Sequence, residues 1–402
     1  MSTRRGRRDV VVVGGGVVGT TAALALAGLG LDVALVEAVE PPRWQADRPD
    51  LRVYAFAPDN ADFLQQLDVW GAVVAARAQR YRRMQVWDAA GGGELVFDAD
   101  AYARSELGWI VEHALLVDRL FAALPGAGVR LHCPARVQSL EQDDSGVRLQ
   151  LDDGSRVDAR IALAADGPES TLRSLAGLQV ARHDYAQRGL VAYVETGQPH
   201  HDTAWQRFLP GGPLAFLPCA DDAVPSAASG CVSSIVWTLP DDEARRMLAM
   251  EAGDFDTALA RAFDGRLGTT TLRSARAGFP LRRQLVQEYV AGRVLVVGDA
   301  AHVVHPLAGQ GVNLGLRDVA AVRDMVASAQ AARADWTSPA RLARWARARR
   351  SDNAVAAHSF DAINRVFSND NPAATLLRGR LLGVAGRVAP LAQLFWRRAS
   401  GL

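Results

Sequence analysis

Residues 9–24, DVVVVGGGVVGTTAAL, leave a chain few ways to fold. The run at 9–13 is short, β-branched and followed directly by glycine, the pattern of a parallel strand buried on both faces. Residues 20–29 are rich in Ala and Leu and predict a helix; 31–37, LDVALVE, predict a second strand. Together they form a βαβ unit, the opening of a doubly wound α/β sheet. Gly14, Gly16 and Gly19 fall in its first turn as G-x-G-x-x-G. Gly14 permits the tight turn, Gly16 lets the backbone approach a pyrophosphate, and Gly19 lets helix and strand pack closely. The pyrophosphate then rests on the amides and the positive dipole end of the helix. Glu37 closes the second strand, where a carboxylate accepts hydrogen bonds from an adenosine ribose. Strand, glycines, helix and acid in register predict a dinucleotide site.

The chain has 402 residues, enough for one large or two intimate domains. Its formal charge of +1 gives no electrostatic reason to propose nucleic acid as a partner. All 45 residues counted as Lys or Arg are Arg, which excludes Schiff-base and phosphate-loop lysine chemistry. Cys133, Cys219 and Cys231 are odd in number and widely spaced, so they predict neither a disulfide framework nor a metal site. The start does not read as a signal peptide, because its apolar run is short and goes straight into the glycine turn. No stretch reaches the roughly 18 apolar residues of a membrane span. These features predict a cytoplasmic protein, soluble or peripheral to a membrane.

Further along, 128–137 and 146–151 read as short strands, and 157–164 as an apolar strand ending at Ala165-Asp166-Gly167. From 186 to 239 the texture changes to β-prone runs punctuated by Gly, Pro and Asp, an antiparallel sheet belonging to an inserted domain. Residues 241–267 read as one helix. VLVVGDAAH (294–302) reads as a buried strand running into a turn and helix, returning the chain to the first sheet. The remainder, from about 312, is helical and Arg-rich.

The segment GDAAHVVHPLAGQGVNLGLRD (298–318) decides between dinucleotides in favour of FAD. Asp299, just past a strand end, suits a ribityl hydroxyl. The stretch 306–311 holds two glycines and is irregular, so the loop residues Pro306, Gly309 and Gln310 can bring backbone against a ring system. Gly311, Val312 and Asn313 open the next helix and aim amides at the flavin N1/C2=O edge. His302 and His305 have no further His, Cys or acid at ligand spacing, so neither is read as catalytic or metal-binding, and His302 is read as structural. The fold class expected is therefore α/β: a doubly wound, Rossmann-like FAD-binding domain (1–75, 105–180, 278–350). An inserted antiparallel-sheet substrate domain (76–104, 181–277) and C-terminal helices (351–402) complete it.

GGGVVG (14–19), ADGPESTLR (165–173) and the 298–318 segment together resemble the single-component flavin aromatic hydroxylases, whose prototype acts on 4-hydroxybenzoate. Within them, HPLAGQGVNLGLRD resembles the signature of the ubiquinone-biosynthesis ring hydroxylases. LRVYAF (51–56), LDVWGAV (67–73), YRRMQVWD (81–88), AFLP (215–218), SIVWTLP (234–240) and FPLRRQ (279–284) follow the same subfamily. The likeness runs from about residue 8 to the end. It implies that Arg52 contacts the flavin or its pyrophosphate, and that Asp166 and Gly167 sit near the pyrophosphate and, in related enzymes, the nicotinamide nucleotide. The sequence departs from the family at Tyr54 and at Pro58-Asp59, where small residues are common.

The resemblance implies FAD as cofactor, NAD(P)H and O2 as co-substrates, and a polyprenylated phenol as substrate. SIVWTLPDDEARRM, AFDGRLG and FSNDNPAATLLR lean toward attack at ring carbon C5; YRRMQVWD and WQRFLP suit C6 nearly as well. Two other classes compete: the same chemistry on another aromatic, and a flavin dehydrogenase or halogenating relative. The halogenases of this superfamily rely on a Lys, which this chain lacks. No nucleophile triad or metal is needed, because the cofactor carries the chemistry. Only one dinucleotide fingerprint is present, so the nicotinamide donor is expected to dock transiently. Trp, Phe and Leu of 205–217 and 235–239 suit either an apolar pocket for a prenyl chain or a sheet core. Residues 373–402 combine five arginines with no acid and an apolar set, the pattern of an interfacial anchor for an anionic membrane or for other ubiquinone-biosynthesis proteins.

Overall fold

The four valines of the opening run are buried in strand β1 (Arg8–Val13) of a computed structural model that describes residues 7–89, 93–305 and 310–367. Helix α1 (Val17–Ala27) and β2 (Val33–Val36) follow. The helix begins three residues before the expected 20, with Gly16 as its N-cap, because the glycine turn itself feeds the first helical residues. β1 and β2 pair in parallel, which a tight hairpin cannot connect, so the chain must cross over through α1.

β3 (Val53–Phe56) leads into α2 (Pro58–Gln66), where Pro58 takes the first helical turn and its missing N–H is no loss. After α3 (Trp70–Arg77) the chain makes β4 (Gln79–Tyr81), β5 (Arg83–Asp88) and β6 (Glu94–Asp98). It returns through β7 (Gly108–Glu112) into α4 (His113–Ala123). β8 (Arg130–His132), β9 (Val137–Gln142), β10 (Val147–Leu151) and β11 (Arg156–Ala164) come next, then the short α5 (Thr171–Leu175).

The second layer is built on the long β12 (Val180–Thr196), with β13 (Thr203–Leu209), β14 (Gly212–Pro218) and β15 (Val232–Pro240) beside it. Helices α6 (Asp241–Ala249) and α7 (Ala252–Ala262) replace the single helix expected over 241–267. Met250 and Glu251 are both extended, with ψ of 145° and 151°, and consecutive extended residues cannot carry an α-helical ladder. β16 (Thr270–Leu272) and β17 (Ala277–Val286) follow. β18 (Val290–Ala291) and β19 (Val294–Val296) lie in the first sheet, but β20 (His302–Val303) pairs with β17 in the second. The strand running into a turn and helix expected over 294–302 is present as β19, a tight turn at Gly298 (φ +59°) and one 3-10 turn (Gly298–Ala300), after which β20 ties the segment to the second sheet. α8 (Gln310–Ala331) and α9 (Pro339–Phe367) finish the described chain.

The first sheet runs β18-β19-β11-β1-β2-β8, with β19 through β8 parallel and the β9–β10 hairpin hung on β11. The second runs β20-β17-β12-β15-β14-β13-β5-β6. It is antiparallel as expected except where β13 meets β5 in parallel, because β5 arrives from a remote part of the chain rather than through a hairpin. A small sheet, β3-β7-β4, lies between them in the chain path. The first sheet and its helices form the largest buried cluster. A second cluster, including Trp87, Phe216, Phe255 and Phe263, seals α6 and α7 on one face of the second sheet. Among the described residues no helix is long and apolar enough to cross a membrane.

Candidate active site

The glycine turn is a cradle that side chains would close. Gly14 holds φ +104°, and a Cβ there would lie 2.3 Å from the Ala165 carbonyl oxygen. One on Gly19 would lie 1.9 Å from the Gly14 carbonyl oxygen, so only glycine lets α1 seat on its own turn. A Cβ on Gly16 would meet nothing within 4 Å, because that position faces open cleft. The first turn of α1 carries no acidic residue and no side-chain cap, leaving its amides for an anion. Glu37 lines the same space; its carboxylate accepts from Gly15 N and, at 3.0 Å, from Val39 N. These residues fit the pyrophosphate and ribose of a dinucleotide.

The cleft has a volume of about 1060 Å³ and runs on from the cradle. Its middle is lined by Arg52 and Tyr54 from β3 and the residues before it, by His113 at the start of α4, and by Asp166, Gly167 and Asp299. The Asp166 carboxyl is pushed up by burial, against hydrogen bonds from Ser170 Oγ and, at 3.1 Å, Leu172 N. Gly311 and Val312 present the first turn of α8. Pro306 and Gly309 lie outside the described residues, as does the side chain of Gln310.

The side chain of Asn313 is fully buried. Its Nδ2 donates to the Ala55 carbonyl at 2.8 Å, while Oδ1 accepts from Ala57 N and Asn60 Nδ2, each at 3.0 Å. Asn313 thus pins the start of α8 against β3, and the side chain is spent on that contact. The 298–302 turn is pinned in the same manner by Asp318. This carboxylate is fully buried and accepts from Gly298 N at 3.0 Å, His302 Nε2 at 2.7 Å, Arg349 Nε at 2.8 Å and Asn353 Nδ2 at 2.9 Å. Burial alone would push it up, but His302 and Arg349 outweigh burial and hold it below the usual carboxylate range. His302 is part of this support, as its structural reading implies. His305 differs: buried edge-on against Tyr185, it has no hydrogen-bond partner on either nitrogen among the described residues, and burial lowers its pKa to about 4.

The far wall belongs to the second sheet. Ala277, Val191 and Val236 stand in register on β17, β12 and β15 and face the cleft, with Leu217 on β14 and Phe279, Pro280 and Leu281 along β17. The Phe279 ring covers Gly189, where a Cβ would meet it at 2.7 Å. Of the aromatic and aliphatic residues expected either in a pocket or in the core, Phe216, Ile235, Trp237 and Leu239 lie in the core under α6 and α7. Side chains along β12 and β15 alternate faces, so Val191 and Val236 reach the cleft while Leu190, Ile235 and Trp237 turn to the core.

A family model described as FAD binding domain matches residues 7–357. The 3-demethoxyubiquinol 3-hydroxylase of Escherichia coli is 35% identical over 396 residues, covering 98% of each chain. The ubiquinone hydroxylase UbiL of Rhodospirillum rubrum is 37% identical over 397 residues, covering 98% of this chain and 89% of that one. This chain belongs to the FAD-binding family of ubiquinone-biosynthesis hydroxylases. Its fold agrees: the p-nitrophenol 4-monooxygenase PnpA of Pseudomonas putida superposes with a TM-score of 0.76 at 18% identity, covering 98% of each chain. The family is one of FAD-dependent monooxygenases, and the lining of the cradle and cleft fits such a flavin.

Some residues of the cleft and its support escaped the sequence reading. His113 on the cleft wall and the buried pair Arg77–Glu112, 3.0 Å apart, are the main ones. Glu112 also accepts from Asp50 N at 2.8 Å and Trp44 Nε1 at 3.2 Å, while Arg77 donates to the Ala46 carbonyl at 2.6 Å. The pair therefore ties down the segment that carries Asp50 and Arg52 into the cleft. The signal available was Glu112-His113 standing at a strand–helix junction; nothing local paired it with Arg77.

Proposed function

We propose that the protein is a single-component, NAD(P)H-dependent flavin monooxygenase that inserts one oxygen atom from O2 into the ring of a polyprenylated phenol in ubiquinone biosynthesis. One observation carries the reading: a single cleft joins the nucleotide cradle to an apolar wall of small and β-branched side chains. When bound and reduced, the flavin supplies with O2 an electrophilic oxygen for an electron-rich ring. Gly14, Gly16, Gly19 and Glu37 bind the nucleotide half, Asp299, Gly311 and Val312 serve the ribityl and ring half, and Val191, Val236 and Ala277 keep water from the reacting face. Phe279, 40% exposed at the cleft, offers an apolar surface along which a prenyl chain can leave. The nicotinamide donor is proposed to dock transiently near Asp166 and Gly167.

The proposed ring carbon is C5, with C6 as the second reading, favoured by YRRMQVWD and WQRFLP. The Escherichia coli relative is named for position 3 of a demethoxyubiquinol. Quinone profiling of a deletion strain decides: the accumulating precursor lacks the oxygen this enzyme adds, and an unchanged ubiquinone pool would overturn the proposal. The protein is further proposed to work in the cytoplasm at the inner membrane face, near other enzymes of the pathway. The segment 373–402, read as an anchor, lies outside the described residues.

A further inference from the structure

The stretch that carries Arg52 into the cleft is held from both layers of the molecule. Residues 50–53 all line the cleft. From β7 and α4, Glu112 accepts from Asp50 N at 2.8 Å, and His113 N donates to the Arg52 carbonyl at 2.9 Å. The Asp50 carboxylate accepts from Arg52 N at 2.9 Å and Ala114 N at 3.0 Å. From the second sheet, the Tyr193 hydroxyl reaches the Asp50 carbonyl at 3.1 Å. A carbonyl oxygen can only accept, so the hydroxyl is the donor.

Tyr193 is fully buried in β12. It stands in register with Ser234 on β15, which pairs with Leu217 on β14; one row away, Val191 pairs with Val236. Residues two apart on a strand share a face, so Tyr193 lies on the face that turns Val191, Val236 and Leu217 to the cleft. It packs in one cluster with Leu217, Ala55 and Ile110, and Leu51, Val53 and Val236 pack against that cluster. Tyr193 therefore belongs to the apolar wall by its ring and to the 50–53 stretch by its hydroxyl. A close-packed interior passes a displacement on instead of absorbing it.

We propose that Tyr193 is a positioning residue for the hydroxylation. It registers the Arg52 stretch on the ring-end wall, so that a phenol seated against Val191 and Val236 and the groups carried by residues 50–53 keep one alignment. It acts through the Asp50 backbone. Loss of the tie leaves the lining of the wall and the anchors from β7 and α4 in place, and so lowers turnover without lowering affinity. This role rests on the proposed hydroxylation of a phenol in the cleft.

The test compares Tyr193→Phe with Ser274→Ala in the flavin-loaded protein. Phe keeps the ring and removes only the hydroxyl. Ser274→Ala removes the acceptor of the Tyr193 N–H, 2.8 Å away, and leaves the Asp50 tie intact. With a geranylated phenol, NADPH and O2, Tyr193→Phe lowers kcat about tenfold and keeps KM within about twofold. Ser274→Ala keeps both within about twofold. Without substrate, amide hydrogen exchange of residues 50–53 rises about fivefold in Tyr193→Phe, the factor for one hydrogen bond, and stays level in β1. An unchanged kcat or an unchanged exchange rate in Tyr193→Phe, or equal losses in both variants, overturns the proposal. Should Tyr193→Phe fail to fold, the wild type decides: binding of the phenol slows exchange in 50–53 about threefold or more, whereas protection confined to β12 and β15 overturns the tie. A wild type that hydroxylates no phenol breaks the proposed function instead, and exchange without substrate still tests the tie.

Discussion

The two ends of the cleft are built in opposite ways. The nucleotide end is almost entirely backbone from one continuous βαβ segment, and its geometry depends on the absence of side chains at Gly14 and Gly19. The ring end is assembled from side chains that meet only in three dimensions. Asn313 reaches Ala57 across 256 residues of sequence, and Asp318 gathers Gly298, His302, Arg349 and Asn353 around one carboxylate. A backbone cradle fails when an atom is added, whereas a buried polar network fails when one is taken away.

That contrast is broken most forcefully at the glycines. Gly19→Val places a side chain where a Cβ already lies 1.9 Å from a backbone oxygen, so the turn must be rebuilt; a loss above about 4 kcal/mol and a colourless protein are expected. Gly16→Ala sharpens the point, because its methyl group meets nothing in the protein. It should leave Tm within a degree or two and still weaken FAD retention, by crowding the space of the pyrophosphate. Thermal melts and flavin release measure both; a Gly16→Ala protein with full flavin would mean that the cradle does not bind there.

At the ring end the largest effect is expected from Asp318→Ala. It leaves Arg349 and His302 buried without their acceptor and should cost about 3–5 kcal/mol in urea unfolding, with flavin affinity falling alongside. If stability fell and flavin affinity did not, the network would be support for the core and not for the 298–302 turn.

Acid offers a smaller and reversible test of the same end. His305 titrates near 4 in the folded protein and near 6.5 when unfolded, so the unfolded chain binds the extra proton first as pH falls. Its contribution is complete above about 6.5 and is lost as pH drops toward 4, roughly 3 kcal/mol at the limit. His305→Phe should flatten that part of the stability–pH curve; an unaltered slope would show that other groups set it.

The smallest effect belongs to Phe279→Ala at the cleft rim. Because the ring is 40% exposed, stability should change by less than about 1 kcal/mol. KM for a prenylated phenol should rise about threefold to tenfold, while that for a phenol without the chain stays level. Equal changes for both substrates would remove Phe279 from the proposed path of the chain.

Much of this molecule was legible in the residues alone, for a local reason. A four-valine run, three spaced glycines and an acid at the next strand end each act within their own neighbourhood, so the βαβ unit and its dinucleotide site need no partner to be recognised. The β-prone texture of 186–239 likewise announced a second sheet. Boundaries fared worse: the helix over 241–267 breaks at two extended residues, and the turn after β19 leads on into a short strand of the second sheet, β20.

What the tertiary structure alone decided is which side chains face the cleft. Alternation along a strand says that two sets of residues point opposite ways, but not which set meets the flavin domain; Val191 and Val236 line the cleft while Leu190 and Trp237 lie under α6 and α7. The side chain of Asn313, a residue whose backbone the motif aims at the ring, also holds β3, because a buried amide takes whatever partners the fold brings within reach. Local sequence determines backbone geometry because sterics and hydrogen bonding act over a few residues; the orientation and proton state of a buried polar side chain depend on neighbours that only folding supplies.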